Sequence, residues 1–246
     1  MQRQCTNRAA ARCREHFTMP GEQWESLLTE GACSLEVRWI VPGPMRTAVA
    51  AWFGRFPAEM ESREDNYLLD PRSRGLSVKV RGGCALEVKM YRGSPGILDV
   101  AGRARGRMES WQKWSFPSGP LSHDYGGLAC WRPVGKRRRI SRFALASGRI
   151  VTHAAGLVHE PRCDVELTEI RTPGQEWWSL GFEATGPADL LHSALEGTAA
   201  LVFAQALPGG VELGSDESRS YAEWLARQPG AESHASILRP SLCPAS

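Results

Sequence analysis

From Leu76 to Tyr91 the chain alternates apolar and polar residues along two short runs joined by a Gly-Gly turn. Leu76, Val78 and Val80 fall on one side of the first run, opposite Ser77, Lys79 and Arg81. In the second run Leu86, Val88 and Met90 oppose Glu87 and Lys89. A period of two marks a half-buried β-strand, because successive side chains leave opposite faces. Such a hairpin fits a sheet with one wet face. It equally fits a barrel turned inside out, with charges in the lumen and apolar residues under helices.

The same alternation predicts further strands. Cys33 to Val41 places Glu36, Arg38 and Ile40 on one face and ends at Pro42-Gly-Pro44. Glu61 to Leu69 aligns Arg63, Asp65 and Tyr67, and Arg107 to Phe116 aligns Glu109, Trp111 and Lys113. Lys136 to Phe143 is a strongly basic strand. Cys163 to Ile170 puts Asp164 and Glu166 on one face and Glu169 on the other, and Trp177 to Glu183 aligns Ser179, Gly181 and Glu183. Helical spacing is expected over Thr47 to Phe56, from Pro187 to about Ala206 and over Ser218 to Ala226. Gly93 to Gly106 and the stretch around Gly214 are expected to be surface loops, and Pro117 to Gly127 reads as turns. The result is a mainly β (α+β) chain of about eight strands with at least two covering helices. Its short loops favour antiparallel neighbours.

Composition narrows the function classes. With 246 residues, 42% hydrophobic and 23% charged, the chain can bury a sizeable core. A net charge of +3 favours anionic partners only weakly. Seven cysteines without a C-x-x-C pair argue against a disulfide framework or zinc ribbon. No apolar stretch has the length of a membrane span. A cytoplasmic protein without a membrane partner is therefore expected. Residues 1–30, whose first part is Arg-rich, are expected to form a poorly ordered arm, 31–227 the folded domain, and 228–246 a flexible tail.

The order of these pieces resembles the CYTH superfamily, the triphosphate tunnel proteins. An acidic first strand and a helix precede a strand ending in Asp65-Asn66-Tyr67. Then come the basic pair Lys79 and Arg81, a strand with internal Lys89, and a Val134-x-Lys136-x-Arg138 segment. Late acidic strands carry Glu166 and Glu183, and Ser220-Tyr221-Ala-Glu-Trp-Leu225 is similar to the family's closing helix. The resemblance runs from about residue 34 to 226 and implies an eight-stranded antiparallel β-barrel with a polar tunnel.

It also implies roles. Arg38, Lys79, Arg81, Lys89, Lys136 and Arg138 would bind a triphosphate-containing small molecule or polyphosphate, since guanidinium groups clamp phosphate oxygens in pairs. Glu36, Asp164, Glu166 and Glu183 would hold Mg²⁺ or Mn²⁺, with Glu166 catalytic in metal-dependent hydrolysis of a phosphoanhydride. The chain departs from the pattern at two points. The first strand reads Glu36-Val-Arg38-Trp-Ile40 where the family has Glu-x-Glu-x-Lys, and Gly181-Phe-Glu183 replaces a Glu-x-Glu pair. Asp164 is the candidate to compensate. A non-catalytic binding module of the same fold is the alternative. A β-rich RNA-binding protein is a third reading, opposed by the modest charge, so nucleic acid is not the expected partner. Within the basic run, Val134 favours Lys136 and Arg138 as the inward pair, with Arg137 and Arg139 as the rival register.

Overall fold

A computed structural model describes residues 31–69, 75–117, 131–152 and 160–228. The expected arm, the tail from 229 and most of the turn-rich 117–127 stretch lie outside the described residues. The strands are β1 (Ala32–Pro42), β2 (Glu59–Leu68), β3 (Leu76–Arg81), β4 (Ala85–Val100) and β5 (Ala104–Pro117). They continue with β6 (Trp131–Ala146), β7 (Arg149–Thr152), β8 (Arg162–Thr172) and β9 (Gln175–Thr185). The helices are α1 (Thr47–Phe53), α2 (Leu191–Val202) and α3 (Tyr221–Ala226).

All pairings in the sheet are antiparallel, in the order β2-β3-β4-β5-β1-β9-β8-β6-β7. A further ladder between β2 and β6, from Glu59 opposite Ile140 to Leu68 opposite Trp131, closes eight of the strands into a barrel. Closure removes the sheet edges that would otherwise be left unpaired. The ninth strand, β7, hairpins back on β6 outside this ring.

The larger apolar core lies outside the barrel wall. Leu35, Val37 and Trp39 of β1, Val165 and Leu167 of β8, and Leu180 and Phe182 of β9 face α1 and α2. Each helix answers with a stripe at helical spacing: Val49, Trp52 and Phe53 on α1, and Leu191, Ala194, Leu195, Ala199 and Val202 on α2. Trp39 anchors this layer. Its ring meets Phe182 and Phe203 edge-on at 6.2 and 6.1 Å, and its Nε1 donates to the Arg105 carbonyl at 3.0 Å. With apolar residues satisfied outside, the opposite face of every strand points charges inward.

A second apolar cluster fills one end of the lumen. Trp224 and Leu225 of α3 pack on Ile40, Tyr67, Val134 and Ile170. The helix is started by Ser220, whose hydroxyl accepts from the Glu223 amide at 3.2 Å. Its first residue, Tyr221, stacks on Tyr67 at 5.8 Å.

Two expected loops are structured. Gly93 to Gly106 is strand rather than loop: β4 runs on to Val100 through irregularities at Gly93 and Gly96, turns over Ala101–Arg103, and returns as β5. Gly93 reads as a breaker in sequence, yet its φ of 137° serves a bulge inside a continuing ladder. The stretch around Gly214 is also pinned. Leu213 is buried in the core, and the Glu217 carbonyl accepts from the Ile40 amide at 2.9 Å. Among the described residues no helix is long and apolar enough to cross a membrane.

Gly106 marks where this outer layer is tightest. A Cβ there would lie 2.7 Å from Trp39 Cζ2, 2.8 Å from Val37 Cγ2 and 2.9 Å from Ser218 Oγ. Gly106→Ala is expected to lower stability by about 1–3 kcal/mol through overpacking, read as a lower urea midpoint with an unchanged slope. A midpoint equal to wild type would show that this contact is loose.

Candidate functional site

The lumen opens into a cavity with about 860 Å³ of atom-free space, open solvent included. Eight Lys and Arg side chains and five Glu line it, an excess of three positive charges. Strand alternation delivers them. Residues of one parity on each strand of the ring enter the lumen while their neighbours face the outer core, as on β1, β8 and β9, or the outer surface, as on much of β2 and β3.

Most of the inward charges form one connected chain of ion pairs. Glu166 on β8 accepts from Arg38 Nη1 of β1 at 3.3 Å, from Thr168 Oγ1 at 2.6 Å, and from Arg138 Nη2 of β6. Arg138 also pairs with Glu61 of β2, which bonds Arg63 at 2.8 Å. Arg63 Nε reaches Asp65 Oδ1 at 2.9 Å. Asp65, fully buried, takes Lys136 at 3.1 Å and Lys79 at 3.2 Å on its other oxygen. Lys79 then meets Glu87 of β4 at 2.9 Å, and Glu87 meets Arg81 at 3.0 Å. A second group joins Lys89 to Glu36 at 2.6 Å and to Glu183 at 3.4 Å, with Lys113 3.7 Å from Glu183.

These contacts set the charge states. Burial alone would raise the Glu166 carboxyl, but the Arg38 and Arg138 guanidiniums outweigh it and hold the group well below the usual range. Asp65 is likewise held down, against its burial, by Lys136, Lys79 and Arg63. Lys89 brings Glu183 down to about 2. Glu109 differs: burial pushes its carboxyl up, although Arg107 and Trp111 both donate to it.

All six expected phosphate-binding residues line the cavity: Arg38, Lys79, Arg81, Lys89, Lys136 and Arg138. The basic run therefore sits with Lys136 and Arg138 inward. Arg139 pairs with Glu169 at 3.3 Å and is absent from the lining. The expected metal set is not assembled. Glu36, Glu166 and Glu183 line the cavity but are engaged by Lys and Arg. Asp164 lies further along β8, opposite Glu183 and Arg142, with Arg142 Nε 3.7 Å away, and it does not reach the lining. Among the described residues no three His, Cys, Asp or Glu side chains group as a metal site. The donor set does not fit the implied Mg²⁺ or Mn²⁺.

Reading the sequence by strand missed the parts of the site that depend on pairing between strands. Arg63, Asp65 and Tyr67 share the inward face of β2, a signal already present in their alternation. Asp65 joins Lys79 and Lys136 because β2 pairs with both β3 and β6. Tyr67 accepts from Lys136 at 2.6 Å, and the Lys136 ammonium lies 3.7 Å from the Tyr221 ring centroid. Trp111 and Lys113 line the cavity beside Glu109.

No family model matches the chain, and no curated protein matches it significantly. Solved structures overlap with it at low identity. A protein of Pyrococcus horikoshii is 15% identical over 78% of this chain and 97% of its own, with a TM-score of 0.41. An RNA triphosphatase of S. pombe is 10% identical over 75% and 88%, with a TM-score of 0.35. A Hippeastrum protein described as having a dominant triphosphatase activity is 12% identical over 74% and 92%, with a TM-score of 0.36. These overlaps are slight. The chain's own closed eight-stranded antiparallel barrel and inward charges match the architecture that the CYTH resemblance implies.

The lumenal pairs make stability depend on pH. Lys89 holds Glu183 down to about 2, and Lys79 and Arg81 outweigh burial to bring Glu87 to about 2. A carboxyl depressed on folding contributes stability above its unfolded pKa and loses it as pH falls through the folded value. Stability to urea should therefore drop between about pH 5 and pH 2. Lys89→Met should be less stable at pH 7, and its gap to wild type should close over that interval. A gap independent of pH would mean that Lys89 does not set the Glu183 charge.

Proposed function

We propose that the barrel binds a triphosphate-type anion, either polyphosphate or a triphosphorylated small molecule, as a binding module without metal-dependent hydrolysis. The observation that carries this reading is the excess of Lys and Arg around a partly enclosed cavity. Phosphate oxygens accept charge-assisted hydrogen bonds from these groups. The surrounding carboxylates hold the donors extended before the anion arrives, which lowers the ordering cost of binding. Arg138 adds a sharper sign. Its Nε is buried and finds no acceptor among the described residues, which leaves this donor open to a solvent or ligand oxygen.

Hydrolysis needs a carboxylate that can hold a cation or take a proton from water. Glu166 is poorly suited to either role, since both its oxygens are engaged by guanidinium groups, whose charges hold its pKa well below the usual range against burial and make it a weak base. In this reading it positions Arg38 and Arg138. Three of the acids expected at the metal are bound to cations, and Asp164 stands apart with Arg142.

Calorimetric titration of tripolyphosphate, with phosphate release followed in the same samples, tests the proposal. Binding that weakens with added salt, without release above the protein-free blank, is expected. Arg81 stands at the mouth, 41% exposed. Arg81→Ala should weaken binding by roughly fivefold to tenfold, whereas the outward Arg139→Ala should leave it unchanged. No binding would overturn the proposal. Release abolished by Glu166→Gln would replace it with hydrolysis.

A further inference from the structure

The two departures from the acidic pattern, Arg38 and Gly181, are one structural unit. They are direct partners across the β1–β9 ladder. A Cβ on residue 181 would lie 2.6 Å from Arg38 Cζ and 2.8 Å from each of its two terminal nitrogens. The guanidinium thus occupies the volume that a side chain at 181 would need. On its other side Gly181 pairs with Glu166. By lying over a residue without a side chain, Arg38 reaches past β9 and places Nη1 3.3 Å from Glu166 Oε1 and 3.3 Å from Ser179 Oγ. Its Cζ sits 4.9 Å from the centroid of the Tyr221 ring.

We propose that the Arg38–Gly181 pair supplies a resident cation, which takes the place of a divalent ion beside Glu166 and lets the phosphate chain bind without metal. This inference rests on the anion-binding reading above. A guanidinium is well matched to such a position, being always charged, more weakly hydrated than an ammonium, and equipped with planar donors that fit phosphate oxygens. Both hydrogen bonds that Arg38 makes among the described residues leave from Nη1, so Nη2 is available to an incoming oxygen. The substitutions depend on each other. A side chain at 181 would need the space that the guanidinium fills, so Arg38 would have to shift from its place over β9.

Titration of tripolyphosphate in EDTA and again in millimolar Mg²⁺ tests this, with folding of each variant checked by circular dichroism. Wild type should bind in EDTA, and Mg²⁺ should not tighten binding. Arg38→Gln should weaken metal-free binding by on the order of tenfold. The double variant R38E/G181E restores both acids and removes the resident charge. It should lose binding in EDTA and regain it with Mg²⁺. Should that variant not fold, Gly181→Ala provides a second reading. Its single methyl displaces the guanidinium and should weaken metal-free binding several-fold. Wild-type binding that requires Mg²⁺ would overturn the resident cation while leaving the anion site standing. Unchanged metal-free affinity in Arg38→Gln or Gly181→Ala would do the same. Absence of binding under both conditions would overturn the anion site itself.

Discussion

A barrel that points its charges inward has to satisfy them there. An ion taken out of water and left alone costs several kcal/mol even after relaxation. This chain meets that requirement with a nearly continuous run of pairs, from Arg38 through Glu166, Arg138, Arg63 and Asp65 to Lys79 and Arg81. The second group, Lys89, Glu36, Glu183 and Lys113, draws in the two strands that the first does not use. Every strand of the closed ring therefore contributes a charge. The same alternation that puts these residues inside places Leu35, Val37, Leu180 and Phe182 outside, where α1 and α2 cover them. Lumen and outer core are two consequences of one period-two pattern.

Pairing also explains why so charged a lumen is tolerated before any ligand arrives. Like charges opposite one another destabilise a sheet, and Glu109, Glu36, Glu183 and Asp164 stand in one cross-strand row. Each is countered by a cation: Arg107 for Glu109, Lys89 for Glu36 and Glu183, and Arg142 for Asp164. An anion entering the cavity therefore competes with carboxylates for donors already in place. Acids that would serve a metal in a different lumen here serve as struts for arginine and lysine.

Much of this was legible in the sequence, because strand parity is a local property. The alternation in Cys33 to Val41 separates lumenal charges from core residues; that in Leu76 to Tyr91 places Lys79, Arg81, Glu87 and Lys89 at the cavity, but on the opposite face only Val80 is buried and Leu76 is 42% exposed. Val134 favours one register of the basic run without settling it, since Ile140 and Arg142 share its parity; the structure seats Val134 in the apolar end beside α3, in step with inward Lys136 and Arg138. What parity cannot give is height along the barrel. Asp164 and Glu166 share a face, yet only Glu166 reaches the cavity; Asp164, two residues along β8, sits beside Arg142 instead. Nor does a sequence show that Arg38 and Gly181 touch across 143 positions. That follows from the β1–β9 ladder alone. The glycines at 93 and 96 mislead for a related reason: a bulge inside a long ladder carries the same residues as a turn.

The most direct test of the ion-paired, anion-accepting lumen is a structure determined with tripolyphosphate in metal-free buffer. Phosphate oxygens should lie on Arg38 and Arg138 inside the barrel, with Glu166 still bridging the two guanidiniums. Phosphate seated on the outer surface, or density for a cation among Glu36, Glu166 and Glu183 after Mg²⁺ is added, would contradict it.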